Sequence, residues 1–78
     1  MPKVLFYAAA RAAAGVTQAE ISAQTLGELV TNLGKSLPAL GKVLPGCSYL
    51  LNGTACKDSS TLLSDSDQID VLPRFAGG

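Results

Sequence analysis

Two short segments near the ends of the chain alternate bulky apolar residues between two faces, a pattern typical of β-strands. They cover residues 3–7 and 68–72. Because these are the most apolar of the predicted strands, we expect them to lie side by side at the centre of a sheet. Alternation places Val4, Phe6, Ile69 and Val71 on one face and Lys3, Leu5, Tyr7, Asp70 and Leu72 on the other. Both faces of the first strand carry bulky apolar groups, which favours a central strand covered on one side and available to a partner on the other, and Tyr7 and Leu72 are either core residues or part of the available face.

Two further β elements are predicted between these segments. Residues 16–23 alternate loosely between apolar and polar side chains and form a second strand, antiparallel to the first. The dipeptide Asn52-Gly53 is the strongest short signal for a two-residue hairpin loop, because both positions favour positive φ angles. It lies in the middle of residues 47–57, which are therefore predicted to form a β-hairpin.

One substantial helix is predicted over residues 25–36. Thr25 followed three residues later by Glu28 matches the capping box that begins many helices. A single apolar stripe runs along this segment at helical spacing and is formed by Leu26, Leu29, Val30, Leu33 and Leu37. The alanine-rich run over 8–14 is too short for an independent helix and predicts a brief helical turn that ends at Gly15.

The remaining segments are predicted to be irregular. Residues 38–46 contain two Pro and two Gly and are predicted as a surface loop. Residues 58–61 are polar and form a second loop. Residues 62–67 are predicted as a tight turn in which one or both of Leu62 and Leu63 reach the core.

The order of elements, two strands, a helix and three strands, predicts an α+β fold with a mixed sheet of about five strands and one main helix packed across it. This is the β-grasp, or ubiquitin-like, architecture. Residues 1–78 are predicted to form a single domain in which 74–78 are a flexible C-terminal tail after the strand that ends before Pro73.

Composition excludes several classes of function. The 78 residues carry six positive and six negative side chains, so nothing indicates a nucleic acid or an anionic membrane as a partner. The chain has no His, which excludes imidazole bases, Ser-His and Cys-His nucleophile pairs and the usual zinc sites. No apolar run approaches the roughly 18 residues of a membrane span, and the N-terminus is read as a strand rather than a signal peptide. We expect a cytoplasmic protein without its own catalytic residues.

The two cysteines are predicted to be separate, reduced thiols. In the hairpin register, Leu50 lies opposite Ala55 and Tyr49 lies opposite Cys56. Cys47 is then diagonal to Cys56 at about 7–8 Å, which is too far for a disulfide without backbone movement. A catalytic thiol needs an activating base, and this chain has no His to supply one.

The final Gly77-Gly78 is the feature that folding explains least. Glycine adds no packing and loses more conformational entropy on ordering than any other residue. A tail without side chains can, however, enter a narrow active site of another protein. Its carboxylate is ionised at neutral pH, so another enzyme must attach a leaving group before the carbonyl carbon reacts with a nucleophile.

Several blocks of the sequence, in order and spacing, resemble the sulfur-carrier family that includes the small subunit of molybdopterin synthase (MoaD type) and the thiamine-pathway carrier (ThiS type). The resemblance spans nearly the whole chain and is closest to the molybdopterin synthase subunit. The blocks are Lys3-Val4-Leu5-Phe6-Tyr7-Ala8 with Arg11 and Gly15, Leu51-Asn52-Gly53, Leu63-Ser64-Asp65-Ser66-Asp67-Gln68-Ile69, Leu72-Pro73 and Ala76-Gly77-Gly78.

The resemblance implies that an E1-like activating enzyme (an adenylyltransferase) uses ATP to adenylate the Gly78 carboxylate and that a sulfur donor converts it to a thiocarboxylate. No cofactor is bound by the carrier itself, since ATP is consumed by the activating enzyme. In the molybdopterin branch, the tail enters the large catalytic subunit and passes sulfur to the pterin precursor. The positions implied to dock these partners are Tyr7, Ala55, Leu72, Arg74 and Phe75.

Two positions depart from the family pattern, and the second departure weakens assignment to one branch of the family. The usual Asp-Gly-Asp turn is Asp65-Ser66-Asp67 here, and the frequent Pro-Pro before the tail is Pro73-Arg74. Arg74 is either a contact for an acidic patch on a partner or a solvated surface cation. The chemistry of Gly77-Gly78 is affected by neither change.

Three classes of function stay open on the sequence. The carrier could donate sulfur to thiamine, cysteine or tRNA thiolation pathways instead of molybdopterin. It could be a ubiquitin-like modifier, in which a lysine amine attacks the activated Gly78. A non-covalent adaptor that uses only an apolar sheet face is the third class, and it predicts that loss of Gly77-Gly78 leaves function intact.

Overall fold

The computed structural model describes residues 1–73, which form a mixed β-sheet covered on one side by helices; the predicted tail, 74–78, lies outside the described residues. The elements are β1 (Lys3–Phe6), α1 (Ala8–Ala14), β2 (Gln18–Glu20), α2 (Leu26–Ser36), α3 (Pro38–Gly41), a 3₁₀ helix (Leu44–Gly46), β3 (Cys47–Leu51), β4 (Thr54–Ala55) and β5 (Gln68–Pro73). No helix within these residues is long and apolar enough to cross a membrane.

The five strands are ordered β2-β1-β5-β3-β4 across the sheet. β1 and β5 are parallel neighbours, with Val4 opposite Ile69 and Phe6 opposite Val71. The other pairs, β1 with β2, β3 with β5 and β3 with β4, are antiparallel. The predicted central pairing of the first and last strands is therefore confirmed, and the fold is the ubiquitin-like β-grasp.

The core lies between one face of the sheet and the helices. Its strand residues from β1 and β5 are those that alternation placed together on one face, and all of them are almost fully buried. The buried apolar side chains are Val4, Phe6, Ala10, Leu26, Leu29, Leu33, Leu40, Leu44, Ile69 and Val71. Alternation along β1 and β5 thus separates a buried face from a face that no helix covers.

The two predicted helices form where the sequence placed them. α1 ends at Gly15, whose φ of 77° is the left-handed conformation that glycine adopts without strain. α2 begins after Thr25, whose Oγ1 accepts a hydrogen bond from the N–H of Glu28 at 3.2 Å. The Glu28 carboxylate accepts from the N–H of Gln24 at 3.3 Å, one residue before the cap instead of at the cap itself.

Replacing Thr25 with Ala is expected to lower the free energy of unfolding by about 1 kcal/mol, because one N–H of the first helical turn loses its acceptor. Since the chain has no Trp, urea unfolding followed by far-UV circular dichroism is the suitable measurement. Thr25→Ser keeps the hydroxyl and should lose much less. Equal losses in both variants would show that the methyl group, and not the cap, stabilises this end of α2.

The prediction of a surface loop over residues 38–46 is wrong. This segment forms α3 and the 3₁₀ helix, and Leu40 and Leu44 are buried in the core. Pro38 begins α3 as its first helical residue, where the missing N–H removes no hydrogen bond. α3 packs so closely against α2 that a Cβ added at Gly41 would lie only 3.4 Å from the Cα of Gly34.

One local prediction also needs correction, and a second is confirmed. The second strand was expected over residues 16–23, but β2 is limited to Gln18–Glu20, and Val16 is 47% exposed. β2 lies at the edge of the sheet and pairs only with β1. Because β1 has just four residues, the paired part of β2 is short. In the turn over 62–67, Leu63 packs against the core, whereas Leu62 is 78% exposed.

Tyr49 on β3 joins the sheet to the 3₁₀ helix. Its hydroxyl donates a hydrogen bond to the carbonyl oxygen of Leu44 at 3.2 Å. Burial, and to a smaller extent the charge of a nearby Cys47 thiolate, together raise the pKa of Tyr49 from an ordinary 10.0 to about 12. The phenol is therefore neutral in the folded protein well above the pH at which the unfolded chain ionises.

This pKa difference predicts that stability decreases between pH 10 and pH 12. In that range the unfolded state binds fewer protons at Tyr49 than the folded state, so the stability present below pH 10 is lost as the pH approaches 12. Since the side chain is only half-buried, solvent screening reduces the expected loss to about 1 kcal/mol. Urea unfolding at pH 9 and pH 11.5 measures the loss, and Tyr49→Phe should reduce the difference between the two pH values.

Candidate functional site

The face of the sheet away from the described helices carries a group of exposed and partly exposed side chains, most of them apolar, which we call the open face. Strand register places its members in adjacent rows. The open face is formed by Leu5, Tyr7, Ser48, Leu50, Ala55, Asp70 and Leu72.

One row of the open face crosses four strands. Leu5 on β1 lies opposite Asp70 on β5, Asp70 lies opposite Leu50 on β3, and Leu50 lies opposite Ala55 on β4. Leu5, Leu50 and Asp70 are half-buried, and Ala55 is exposed. The next row places Leu72 opposite Ser48. The result is an apolar surface that water reaches and that contains one carboxylate.

Tyr7 lies between β1 and α1 and continues the strand by one residue. Its backbone is extended, with φ −125° and ψ 149°, and its N–H donates to the carbonyl oxygen of Val71 at 3.2 Å. Because Phe6 is buried, the alternation turns Tyr7 toward the open face, beside Leu72 in the next row. Tyr7 is 40% exposed, so it is not an ordinary core residue.

The last described strand ends at the apolar end of this face. β5 ends at Pro73, opposite Cys47, directly after Leu72. The structure thus brings together three of the predicted docking residues, Tyr7, Leu72 and Ala55, on one surface next to the start of the tail. The other predicted site residues, Arg74, Phe75, Gly77 and Gly78, lie outside the described residues.

Sequence reasoning did not assign a docking role to Leu5, Leu50 or Asp70. The signal was present, because strand alternation already placed Leu5 and Asp70 on the face of Tyr7 and Leu72. The hairpin register also placed Leu50 opposite Ala55, and the structure confirms this pair. What was missing was the neighbour relation of β3 and β5, which places Leu50 beside Asp70.

The hairpin loop holds the beginning of β5 in place. Asn52 and Gly53 have φ angles of 50° and 85°, as a two-residue loop requires. The Asn52 side chain donates to Asp67 Oδ1 and accepts from the N–H of Gln68, both at 2.9 Å, and its own N–H donates to the carbonyl oxygen of Gln68 at 2.8 Å. Hydrogen bonds from the N–H of Ser64 and from Asn52 lower the pKa of Asp67. These contacts fix the register of the strand that carries the tail.

Both cysteines are free thiols, as predicted, and belong to the buried side of the hairpin. The Cys47 thiol donates to the carbonyl oxygen of Val43 at 3.3 Å, and the Cys56 thiol donates to Thr61 Oγ1 at 3.4 Å. Burial raises the pKa of Cys47, which disfavours the reactive thiolate. In residues 1–73, no group of three or more His, Cys, Asp or Glu side chains is arranged to hold a metal ion.

Comparison with known proteins agrees with this geometry. The model of the ThiS family matches residues 4–78. The chain belongs to the ThiS family. This family consists of small sulfur-carrier and ubiquitin-like modifier proteins that are not themselves catalytic. No curated protein sequence matches this ThiS family member at a significant level.

Solved structures of similar proteins include both carriers and modifiers. The solution structure of small archaeal modifier protein 1 from Methanosarcina acetivorans has 29% identity and a TM-score of 0.88, covering 99% of this chain and 95% of that one. A chain in the complex of subunits 1 and 2 of the molybdopterin-converting factor from Helicobacter pylori has 27% identity and a TM-score of 0.75. The match covers 99% of this chain and 97% of that one. A chain of the BexX/CysO complex from Amycolatopsis orientalis, at 17% identity and a TM-score of 0.83 over the full length of both chains, shares the fold.

Proposed function

We propose that this ThiS family protein carries sulfur as a thiocarboxylate at Gly78 and donates it to the molybdopterin precursor. Residues 1–73 serve as the docking domain, and residues 74–78 serve as the tail that is modified. The observation that carries the proposal is the position of the open face: its apolar end lies where β5 ends at Pro73, so one partner can hold the domain and receive the tail together.

The proposed reaction needs no catalytic group on this chain. An E1-like enzyme directs the Gly78 carboxylate onto the α-phosphorus of ATP, and pyrophosphate leaves. A sulfur nucleophile from the donor then displaces AMP from the acyl adenylate. Hydrosulfide gives the thiocarboxylate directly, whereas a persulfide gives an acyl disulfide that a thiol must reduce. Because this chemistry consumes ATP, the proposal also places the protein in the cytoplasm.

The large subunit of molybdopterin synthase is the proposed acceptor. The sequence blocks that most resemble the small subunit of that enzyme support this choice. A related chain at 27% identity was solved in a complex of subunits 1 and 2 of a molybdopterin-converting factor. Leu5, Tyr7, Leu50 and Leu72 supply the apolar area, with Ala55 at the edge.

A second candidate is a protein modifier, favoured by the 29% identity to small archaeal modifier protein 1. The same acyl adenylate, or a thioester made from it, would then react with a lysine amine. An isopeptide bond forms and AMP or the thiol leaves. The two candidates share activation and differ only in the nucleophile.

Intact-mass measurement of the protein recovered from its native cells, with thiols alkylated under denaturing conditions, tests the proposal. The expected product is a Gly78 terminus that bears sulfur in place of one oxygen and that takes up one alkyl group. Peptide mapping separates this alkyl group from those on Cys47 and Cys56. Gly78 joined to lysines of other proteins, with no thiocarboxylate, would instead establish the modifier. An unmodified terminus after incubation with the activating enzyme, ATP and sulfide would contradict both candidates.

A further inference from the structure

Asp70 is the one carboxylate among the residues of the open face. It lies between two leucines, with Leu5 opposite it on β1 and Leu50 opposite it on β3. The side chain is half-buried, and its Oδ1 accepts a hydrogen bond from Nε2 of Gln68 at 3.2 Å. Water and this one amide are the carboxylate's polar surroundings within residues 1–73.

No cation of the described residues neutralises this carboxylate. The ion pair found within residues 1–73 joins the N-terminal ammonium of Met1 to Asp65, at 3.2 Å. Lys3 is on the same side of the sheet but lies opposite Glu20 and Gln68, one row away from Asp70. Lys57 lines the same surface as Leu50 and Ala55, but it too makes no ion pair with Asp70 within residues 1–73. The carboxylate therefore has no ion-pair partner in the described domain, and a docking partner can supply the opposite charge.

A purely apolar partner would fit this surface poorly. Closing an apolar surface over Leu5 and Leu50 removes the water that solvates Asp70, and an uncompensated buried carboxylate opposes binding strongly. A cation at the same point converts this penalty into attraction and excludes partners that lack it. The position of Asp70 in the middle of the row, and not at the rim, makes its desolvation unavoidable on docking.

We propose that Asp70 is the specificity-determining charge of the open face, and that the partner docking there presents an arginine side chain to it between Leu5 and Leu50. The inference rests on the proposed function, in which this face docks the activating enzyme. Arginine fits because its guanidinium is weakly hydrated and pairs with a carboxylate through two parallel hydrogen bonds. One Asp70 oxygen accepts from Gln68 and keeps a lone pair free, and the other is open.

The test is ATP–pyrophosphate exchange with the activating enzyme of the source organism, measured against carrier concentration at low and moderate salt. Asp70→Asn keeps the shape and an acceptor but removes the charge. We expect its KM for the carrier to rise at least tenfold with kcat little changed, and its salt dependence to become weaker. Asp70→Lys should raise KM at least a hundredfold. Asp65→Asn, which removes an equal charge from the exposed turn, is the matched control and should behave as wild type.

Unfolding measurements separate docking from a structural role. Since Asp70 has no cationic partner among the described residues, Asp70→Asn should unfold at the same urea concentration as wild type, or a higher one. A KM increase that accompanies loss of stability would overturn the proposal. An unchanged KM for Asp70→Asn would also overturn the proposal. A raised KM with unchanged salt dependence would overturn it too, because it indicates that the partner contacts Asp70 with a neutral hydrogen-bond donor.

Two further outcomes are distinguishable. If Arg74→Gln reproduces the KM and salt dependence of Asp70→Asn and the double variant shows no further change, the cation comes from Arg74 of this chain and the inference about the partner is wrong. If wild type supports no exchange at all, the proposed function fails before Asp70 is tested. Exchange by wild type with no response to any Asp70 variant leaves the proposed function intact and rejects this inference alone.

Discussion

Deleting Gly78 is expected to abolish formation of the acyl adenylate by the activating enzyme. The deletion moves the terminal carboxylate away from the enzyme-bound ATP by one residue, about 3.3–3.6 Å of extended chain, while the domain still docks in the same position. A misplacement of only 1 Å can cost about a hundredfold in rate when reacting groups are held in an active site. ATP–pyrophosphate exchange is therefore expected to fall to background, and no thiocarboxylate should be found by intact mass.

A second variant separates the effect of tail length on exchange from the effect of the missing side chain at the last residue. Gly78→Ala keeps the number of residues but adds a Cβ and restricts φ, so we expect reduced exchange instead of none. Ala76→Ser changes the tail without altering the last two glycines and is the control that should remain active. Normal exchange by the Gly78 deletion would contradict this prediction, because it would mean that the enzyme adenylates a terminus one residue shorter equally well.

Replacing Leu40 with Ala is expected to lower the free energy of unfolding by about 3 kcal/mol. Leu40 is completely buried in α3, so truncation loses its transfer free energy and leaves a cavity. Small domains are commonly stable by only about 5–15 kcal/mol in total, so the loss should move the urea midpoint far to lower concentration. Urea unfolding followed by circular dichroism measures the change.

Leu33→Ala provides the comparison within α2, since Leu33 is equally buried, and it should lose a similar amount. Ala39→Ser alters the exposed neighbour of Leu40 and should change stability by less than about 0.5 kcal/mol. A loss for Leu40→Ala as small as that for Ala39→Ser would mean that residues 38–46 behave as the surface loop that the sequence predicted.

The strands and α2 could be predicted because local patterns determine them. Val4, Phe6, Ile69 and Val71 alternate with less buried residues, and the alternation alone separates the two faces. The segment 38–46 was mispredicted because Pro and Gly indicate a break in the chain, not exposure. Pro38 begins a helix here, and Gly41 allows α3 to approach α2 at Gly34. Such contacts depend on tertiary packing that no short window of sequence contains.

The candidate site was predictable in part for the same reason. Tyr7 and Leu72 follow from alternation within single strands, and Ala55 follows from the hairpin register. Asp70 gains its significance only from Leu5 and Leu50, which reach it from strands far apart in the chain. Which residues share a row across strands depends on the order of the strands in the sheet. That order is set by pairing between segments far apart in the chain, which local sequence patterns do not show.

The parallel pairing of β1 with β5 has a consequence for biosynthesis. β5 is the last strand in chain order, yet it occupies the centre of the sheet between β1 and β3. A nascent chain therefore cannot complete its sheet until residues 68–73 have left the ribosome, and until then the edges of β1 and β3 lack their partner. The open face is also incomplete at that stage, because Asp70 and Leu72 belong to β5. On the proposed function, truncated or unfolded chains lack the surface that the activating enzyme binds, so we expect them not to be adenylated.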